Sequence, residues 1–181
     1  MELSILICTL PDRKDKFDAL KFSLDLQVQA SGGVVEILSD DGDGSVGAKR
    51  NRLLDRSTGR YIAYIDDDDR VPLDYCPMIL KATAKGVDCV GIQGVLMENG
   101  REGWKFRHSI TVGRWCKDKS NHIYFRTPNH LNPIKREYAL ATRFPDISYG
   151  EDRSYSDRIR PLLKTEEFIE ATLYYYNIYQ K

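Results

Sequence analysis

Four consecutive aspartates, Asp66 to Asp69, directly follow the apolar run from Tyr61 to Ile65. A short apolar run of this kind predicts a buried strand, so the acidic cluster is predicted to lie at a strand end. Two carboxylates 4 Å apart repel each other by roughly 4 kcal/mol at an effective dielectric constant near 20, and a bound cation would offset this cost. A divalent metal ion, which prefers oxygen ligands, is therefore the expected partner of the cluster.

The acidic run has two simpler interpretations than a metal site. The first is a solvated acidic turn that binds nothing. The second is a calcium loop, but the spacing D-x-D-x-D-G followed by a later glutamate is absent. The metal site remains the favoured hypothesis.

A second acidic strand end precedes a basic helix. The run from Val34 to Leu38 predicts a strand that stops at Asp40 and Asp41, and glycines follow at positions 42 and 44. Ser45 is a suitable N-cap for a helix over 46–57. That helix carries four basic residues: Lys49, Arg50, Arg52 and Arg56. A basic helix is thus predicted between two acidic strand ends.

The order of elements predicts an α/β protein. Strands are expected at 3–9, 34–38, 60–65 and 88–97, alternating with helices around 17–28, 46–57 and 72–84. This alternation is typical of a mainly parallel central sheet flanked by helices. Ligands of such sheets bind beyond the carboxyl ends of the strands, where Thr9, Asp40 and Asp66 are expected.

The second half of the chain is less regular. Short aromatic strands are expected at 104–108, 110–115 and 122–125, and a turn-rich passage at 127–133. Residues 154–163 show partial helical spacing, and an aromatic segment covers 166–179. We interpret this half as a mixed or antiparallel extension of one domain that covers residues 1–181.

Composition excludes several classes of protein. Lysine plus arginine equals aspartate plus glutamate at 27 each, so no overall field favours polyanions or acidic membranes. The four cysteines are too widely spaced for a zinc or redox motif, and we expect reduced thiols. The apolar run after Ser4 is too short for a signal peptide or a membrane span, so a cytoplasmic protein without a transmembrane segment is expected.

Three segments together resemble the family-two glycosyltransferases of the GT-A fold. They are LSILICTLPDR near the start, VGAKRNRLLDRSTGRYIAYIDDDDRVP in the middle, and YGED at 149–152. The order and spacing of the segments, and above all the GAKRN stretch, carry the resemblance. It implies a GT-A domain in which residues 1–100 bind a nucleotide-sugar and residues 101–181 bind the acceptor.

The resemblance gives the acidic run a role in binding a UDP-sugar donor. In this family the strand-end DxD motif binds Mn²⁺ or Mg²⁺, which bridges the diphosphate. The motif maps onto Asp66 and Asp68, with Asp68 as the direct metal ligand and Asp66 facing the ribose or the water shell of the metal. Asp67 and Asp69 are alternatives within the run, and Asp67 is also expected to contact the donor.

The resemblance assigns further residues to the nucleotide: Thr9, Pro11, Asp40, Lys49 and Arg52. Asp40, with Asp41 as its alternative, resembles the acid that accepts the uracil imide hydrogen. For Asp41 and Asp43 the plain alternative is an Asx turn beside glycine, and for the basic residues it is a solvent-facing charged stripe.

The segment Glu151-Asp152 resembles the ED motif of inverting members. The resemblance makes Asp152 the catalytic base that removes a proton from a sugar hydroxyl, and Glu151 the residue that orients the acceptor. It implies an inverting hexosyltransferase. Both acids are also suited to a helix N-terminus, where the helix dipole stabilises negative charge.

Other roles stay open. His130 and Asn132 lie in a loop that could close on the donor or the metal, or could be a plain surface loop. The acceptor would be a glycan, a small metabolite or, as the minority alternative, a modified nucleobase in DNA, because aromatic residues near 104–124 suit both sugars and bases. A nucleotidyltransferase would need a glycine-rich loop after the first strand, which CTLPDR is not. A catalytically silent nucleotide-sugar or glycan-binding module is the remaining alternative.

Overall fold

A computed structural model describes residues 1–178. Tyr179, the last residue of the predicted aromatic segment, lies outside this range. Within it the strands are β1 (Leu3–Cys8), β2 (Val35–Asp40), β3 (Tyr61–Tyr64), β4 (Cys89–Glu98), β5 (Arg101–His108), β6 (Cys116–Asp118), β7 (Ile123–Arg126), β8 (Ile134–Lys135) and β9 (Glu166–Ile178). The helices are α1 (Lys14–Ala30), α2 (Val46–Arg56), α3 (Tyr75–Thr83), α4 (Arg136–Thr142) and α5 (Glu151–Ile159).

The described strands form one sheet in the order β2-β1-β3-β8-β4-β5-β7-β6, and β9 pairs with β4. Strands β1, β2 and β3 are parallel, β8 runs antiparallel to both β3 and β4, and β5 pairs antiparallel with β4. The predicted α/β class and the helix-flanked central sheet are confirmed, with parallel pairing concentrated in the first half and mixed pairing in the second.

Alternating side chains of β1 supply two separate apolar cores. Leu3 and Ile5 point to the face that packs against α1 and α3, and Leu6 points to the face that packs against α2 and α5. Successive side chains of a strand face opposite sides of the sheet, so a nearly continuous apolar strand is what a sheet covered on both faces requires.

The carboxyl ends of the first three strands meet as the sequence predicts. Cys8 of β1 lies opposite Asp40 of β2, and the Thr9 N–H donates to the Asp40 carbonyl at 3.0 Å. The Ile65 N–H donates to the Leu6 carbonyl at 3.1 Å, which brings the acidic run beside the end of β1. These contacts position the candidate site.

The predicted strand over 110–115 is wrong. These residues form a turn and an irregular stretch, and the next strand is β6. Glu166 explains the difference, because its carboxylate accepts the Ile110 N–H at 2.8 Å and the Ser109 hydroxyl at 2.6 Å. A side chain thus binds the backbone N–H that a strand would have used in its ladder.

The structure contains elements that the sequence did not reveal. Strand β8 and helix α4 follow the turn-rich passage directly, and the aromatic segment after residue 166 is the long strand β9. Helix α5 begins at Glu151 rather than at Ser154, and α3 covers 75–83 rather than 72–84. The early start of α5 places the ED pair in its first turn.

All four cysteines are free, at Cys8, Cys76, Cys89 and Cys116. None of the helices within residues 1–178 is long and apolar enough to cross a bilayer.

Asp88 joins three segments next to β4. Its carboxylate accepts the N–H groups of Lys164 and Thr165 at 2.9 and 3.1 Å and the Lys135 ammonium at 2.8 Å. Although burial alone would raise the pKa of Asp88, the bonds from Lys135 and the two N–H groups lower it to about 2. The ionised carboxylate therefore connects β8 and the start of β9 to β4.

We expect Asp88→Asn to lower the free energy of unfolding at pH 7 by about 1.5–3 kcal/mol, because it removes hydrogen bonds to a charged group. The folded pKa lies below the unfolded value, so the wild-type advantage exists above about pH 4 and is lost as the pH falls towards 2. Urea unfolding between pH 7 and pH 3 measures both effects. The control Asp157→Asn removes an exposed pair with Arg153 and should cost 1 kcal/mol at most. A constant difference across this pH range would contradict the expectation.

Candidate active site

The start of α2 is fixed by close packing against the loop that precedes α5. Ser45 caps the helix by accepting the Ala48 N–H at 3.1 Å. Gly47 lies so close to this loop that a Cβ there would be 1.9 Å from the Pro145 carbonyl oxygen. The Gly47 N–H also donates to the Ile147 carbonyl at 3.1 Å. Only glycine allows this approach, which brings α2 and α5 together.

Arg50 connects the two acidic motifs. Its guanidinium donates to Glu151 at 2.8 Å and to Asp66 at 3.2 Å, and only 4% of its side chain is exposed. The guanidinium carbon lies 5.3 Å from the centroid of the Phe144 ring and 5.9 Å from that of Tyr64. A buried cation thus joins the end of β3 to the first turn of α5.

Asp66 is held ionised by its contacts to Arg50 and His130. Its carboxylate contacts Arg50 and, at 3.4 Å, Nε2 of His130. Burial opposes the charge of Asp66, but His130 and Arg50 outweigh it and hold the pKa well below its usual range. His130 therefore contacts the acidic run, whereas Asn132 from the same loop lies inside the protein. Asn132 is buried, and its amide donates to the Val90 carbonyl at 2.9 Å.

Asp67 accepts hydrogen bonds from other parts of the protein. It is buried, and its carboxylate accepts the Leu10 N–H at 3.0 Å and the Arg13 guanidinium at 2.9 Å. These bonds fix the segment after β1 against the end of β3. The predicted contact between Asp67 and the donor stays a prediction.

Asp69 anchors β9 to the acidic run. Its carboxylate accepts the Tyr174 hydroxyl at 2.8 Å and the Asn177 N–H at 2.7 Å, while the Tyr174 oxygen accepts the Asp66 N–H at 3.0 Å. Burial and the negative charge of Asp66 raise the pKa of Asp69 to about 8, although both hydrogen bonds favour the ionised form. Asp69 therefore has a structural role in this arrangement.

Asp68 borders the cleft in front of the acidic run. One carboxylate oxygen lies 3.0 Å from the Arg13 guanidinium, and 13% of the side chain is exposed. Burial raises the pKa of Asp68, Arg13 lowers it, and the neighbouring Asp67 and Asp66 raise it further, so that the net shift is upward. The side chain of Asp68 thus combines a contact to Arg13 with a place on the lining of the cleft.

The predicted nucleotide residues fall into two groups. Lys49 is buried and donates to the Thr9 carbonyl at 3.1 Å, so both residues lie at the end of β1. Asp40 accepts two bonds of 2.8 Å from Arg52 and one of 2.9 Å from the Gly42 N–H. The hydrogen bonds from Arg52 are the main cause that lowers the pKa of Asp40, and burial opposes them. Pro11 is exposed at the start of a short 3₁₀ turn.

The ED pair occupies the first turn of α5, after Gly150 in a left-handed conformation with φ of 79°. Glu151 is buried and bonded to Arg50. Asp152 is partly exposed, and its carboxylate accepts the Arg153 N–H at 2.7 Å. Of these two acids, Asp152 is the more exposed.

Two adjoining clefts contain most of these residues. The first has a volume of about 490 Å³ and the second about 220 Å³, and Arg50, Asp66, Tyr149 and Glu151 line both. The first cleft is also lined by Thr9, Lys49, Asp67 and Asp68, and the second by Arg126, His130 and Asp152. Pro11, Asp40 and Arg52 line neither cleft in this structure.

Within residues 1–178, no group of three or more His, Cys, Asp and Glu side chains is arranged to hold a metal ion. Mg²⁺ is commonly bound by one or two carboxylates together with substrate phosphates and water, so a protein site of three ligands is not required.

Sequence reasoning missed three residues of the site. In the sequence Arg50 is one of several helix cations, but it precedes Leu53 and Leu54 by three and four positions and so shares their buried face. That spacing was a usable signal. Arg13 and Tyr174 gave no signal, because their contacts depend on segments more than 50 residues away.

The fold and the site define an α/β protein with a strand-end acidic run and a second acid pair across a cleft. A model of the family described as "Glycosyl transferase family 2" matches residues 25–160, which is more than half of the chain. The chain therefore belongs to glycosyltransferase family 2. The resemblance drawn from the three sequence segments is confirmed, and the family differs from the nucleotidyltransferases considered above.

Individual relatives are distant. The "Putative glycosyltransferase EpsH" of Bacillus subtilis (strain 168) is 24% identical over 145 residues, which is 74% of this chain and 42% of that protein. A crystal structure of S. aureus TarS 1-349 in complex with UDP-GlcNAc matches with a TM-score of 0.71 at 13% identity, over all of this chain and 60% of that one. The complex of TarS 1-349 with UDP gives a TM-score of 0.70 at 14% identity, over 98% of this chain and 61% of that one. The TarS structures confirm the GT-A-type fold.

We expect Arg50→Met to lower the free energy of unfolding by about 3–5 kcal/mol, because Asp66 and Glu151 would lose their shared buried cation. Arg50→Lys should cost less, since it keeps the charge but cannot bridge both acids as a planar guanidinium does. Denaturant unfolding at pH 7 measures the difference. The matched control is Arg56→Met on the same helix, where the side chain is exposed and donates to the Ser39 carbonyl. Equal losses for the two Met variants would contradict the role assigned to Arg50.

Proposed function

We propose that this protein is a metal-dependent inverting glycosyltransferase that moves a hexose from a UDP-sugar to a hydroxyl group of an acceptor. The observation that supports this most strongly is the pair of adjoining clefts, with the acidic run on one side and Asp152 on the other. A donor in the first cleft would present its sugar towards the second. The first cleft also falls within the 300–1,000 Å³ typical of small-molecule sites.

The donor is proposed to be a UDP-sugar. Family membership supports a nucleotide-sugar, and a TarS structure contains UDP-GlcNAc. In the proposed arrangement Thr9, Pro11, Lys49 and Asp66 lie around the nucleotide. A carboxylate has about four acceptor positions, and Asp40 uses three of them on Arg52 and Gly42, so one position is left for a uracil imide.

The residues present fit a Mn²⁺ or Mg²⁺ ion. Asp68 would be the direct ligand and Asp66 would contact its water shell, with the diphosphate completing the coordination. The position of Asp68 supports this assignment, because Asp68 lines the first cleft together with Asp66 and Asp67. When bound, the ion would act as a Lewis acid on the charge that develops on the departing diphosphate.

Asp152 is proposed as the catalytic base. A sugar hydroxyl is a weak nucleophile at neutral pH, so its proton must be removed as the oxygen attacks the anomeric carbon. The Asp152 carboxylate would take that proton, and the leaving UDP would depart on the opposite side, which inverts the anomeric centre. Glu151 is proposed to orient the acceptor, and its bond to Arg50 also positions the first turn of α5.

We further propose a division of the chain, in which residues 1–100 supply most donor contacts and the later residues supply the acceptor side. Ser148, Tyr149, Glu151, Tyr176 and Asn177 also line the first cleft, so the division is not complete. The acceptor remains open among glycans, small metabolites and, as the minority alternative, nucleic acid.

The base assignment is tested by Asp152→Asn. We expect the rate of transfer to fall by about 10²–10⁴-fold, because the amide cannot accept the hydroxyl proton. The amide oxygen can still accept the Arg153 N–H, so the helix should remain folded. Release of UDP from UDP-GlcNAc, UDP-glucose and UDP-galactose, with and without sugar acceptors, is the measurement.

The control for this test is Asp157→Asn, one turn further along α5 and paired with Arg153. It should leave UDP release unchanged. If Asp152→Asn keeps full transfer activity, another residue is the base.

The metal assignment is tested by calorimetry with UDP. Wild-type protein is expected to bind UDP more tightly with Mn²⁺ than with EDTA, and Asp68→Asn should remove most of that gain by taking away a charged oxygen ligand. Asp74→Asn, an exposed aspartate before α3, is the control and should behave as wild type. Absence of UDP binding by the wild type in Mn²⁺ would reject the donor proposal as a whole.

A further inference from the structure

Arg126 is the cation of the second cleft that the mechanism above does not use. It ends β7, and its guanidinium carbon lies 4.6 Å from the centroid of the Trp115 ring and 5.9 Å from that of Tyr124. The residue lines the second cleft together with Asp152 and His130. Packing against Trp115 therefore holds a positive charge beside the proposed base.

The other cations around this cleft are already paired. Arg50 binds Glu151 and Asp66, and Arg153, whose guanidinium lies over the same Trp115 at 4.7 Å, binds Asp157. For Arg126, no carboxylate of residues 1–178 lies within salt-bridge distance, and its guanidinium donates no hydrogen bond within that range.

Partial burial of the Arg126 guanidinium without a paired carboxylate costs free energy. Burial lowers the pKa of Arg126, and the more distant negative charge of Asp152 offsets it only in part. A guanidinium offers a planar fork of N–H donors that fits a carboxylate or a phosphate through two parallel hydrogen bonds. The environment of Arg126 is thus suited to an anion that the protein itself does not supply.

The position of Arg126 indicates which substrate would carry the anion. Arg126 lines the cleft that contains Asp152, whereas it does not line the first cleft with Thr9, Lys49 and Asp68. The rim shared by both clefts includes Tyr149, whose side chain is 92% exposed and offers an aromatic face to a sugar ring.

We propose that Arg126 binds an anionic group of the acceptor, a carboxylate or a phosphate, and so places an acceptor hydroxyl next to Asp152. This inference rests on the proposed function and narrows it to acidic sugars or sugar phosphates as acceptors. Neutral acceptors of the same size bind more weakly, because they leave the guanidinium desolvated without an anion.

The first test uses Trp115 as a reporter. The chain has two tryptophans, and Trp104→Phe leaves Trp115, which contacts Arg126, as the single tryptophan. This variant is saturated with UDP and Mn²⁺ to occupy the donor cleft, and its fluorescence is titrated with three probes. Methyl β-D-glucuronide carries a carboxylate, glycerol 3-phosphate carries a phosphate, and methyl β-D-glucoside is the neutral match of the first.

At least one anionic probe is expected to bind about tenfold or more tightly than the neutral glucoside, as one charged hydrogen-bonded pair would give. Comparison of the glucuronide with glycerol 3-phosphate identifies which anion the site prefers. Equal affinities for all three probes would overturn the proposal.

Arg126→Met in the same background tests the residue itself, since methionine keeps an apolar contact with Trp115 and removes the charge. It should abolish the preference for anions and leave UDP affinity unchanged. Arg126→Lys should keep part of the preference, which gives a second reading if the Met variant folds poorly. The control Arg153→Met removes the cation on Trp115 that is already paired and should keep the preference.

Two other results would overturn the inference. A preference that survives Arg126→Met would show that another cation binds the anion, and a loss of UDP affinity in Arg126→Met would show that Arg126 serves the donor. Failure of the proposed function can be distinguished from failure of this inference, because wild-type protein would then not bind UDP. Titration with the same probes in the absence of UDP would still report whether Arg126 selects anions.

Discussion

The buried Arg50 is the interaction on which the site depends. A guanidinium with 4% of its side chain exposed must be neutralised, and the protein does so with Asp66 from the end of β3 and Glu151 from the first turn of α5. These acids are 85 residues apart in sequence, so one cation fixes the distance between the two halves of the site. Gly47 allows α2 to approach closely enough for Arg50 to reach both.

The four aspartates have different environments because they leave the strand end in different directions. Asp66 contacts Arg50 and His130, Asp67 binds the segment after β1, and Asp69 binds Tyr174 of β9. Each of these three aspartates joins the run to other parts of the protein. Asp68 lines the first cleft and contacts Arg13 at 3.0 Å.

The sequence predicted the elements whose pattern is local. The apolar strands, the basic helix and the meeting of Thr9, Asp40 and Asp66 at one edge follow from periodicity and from the rule that parallel strands share their carboxyl ends. It failed where distant side chains decide the backbone, as at 110–115, where Glu166 binds the Ile110 N–H. The contacts of Arg13 and Tyr174 could not be predicted from the sequence for the same reason.

The position of β9 links the acidic run to the acceptor side. Tyr174 accepts the Asp66 N–H and donates to Asp69, and Tyr176, two residues further on, lines both clefts. Residues two positions apart in a strand face the same side of the sheet, so the bonds that hold Tyr174 also fix the side on which Tyr176 lies. Strand β9 therefore stabilises the carboxylates and also lines both the proposed donor cleft and the proposed acceptor cleft. The shape of the acceptor cleft thus depends on the geometry of the acidic run.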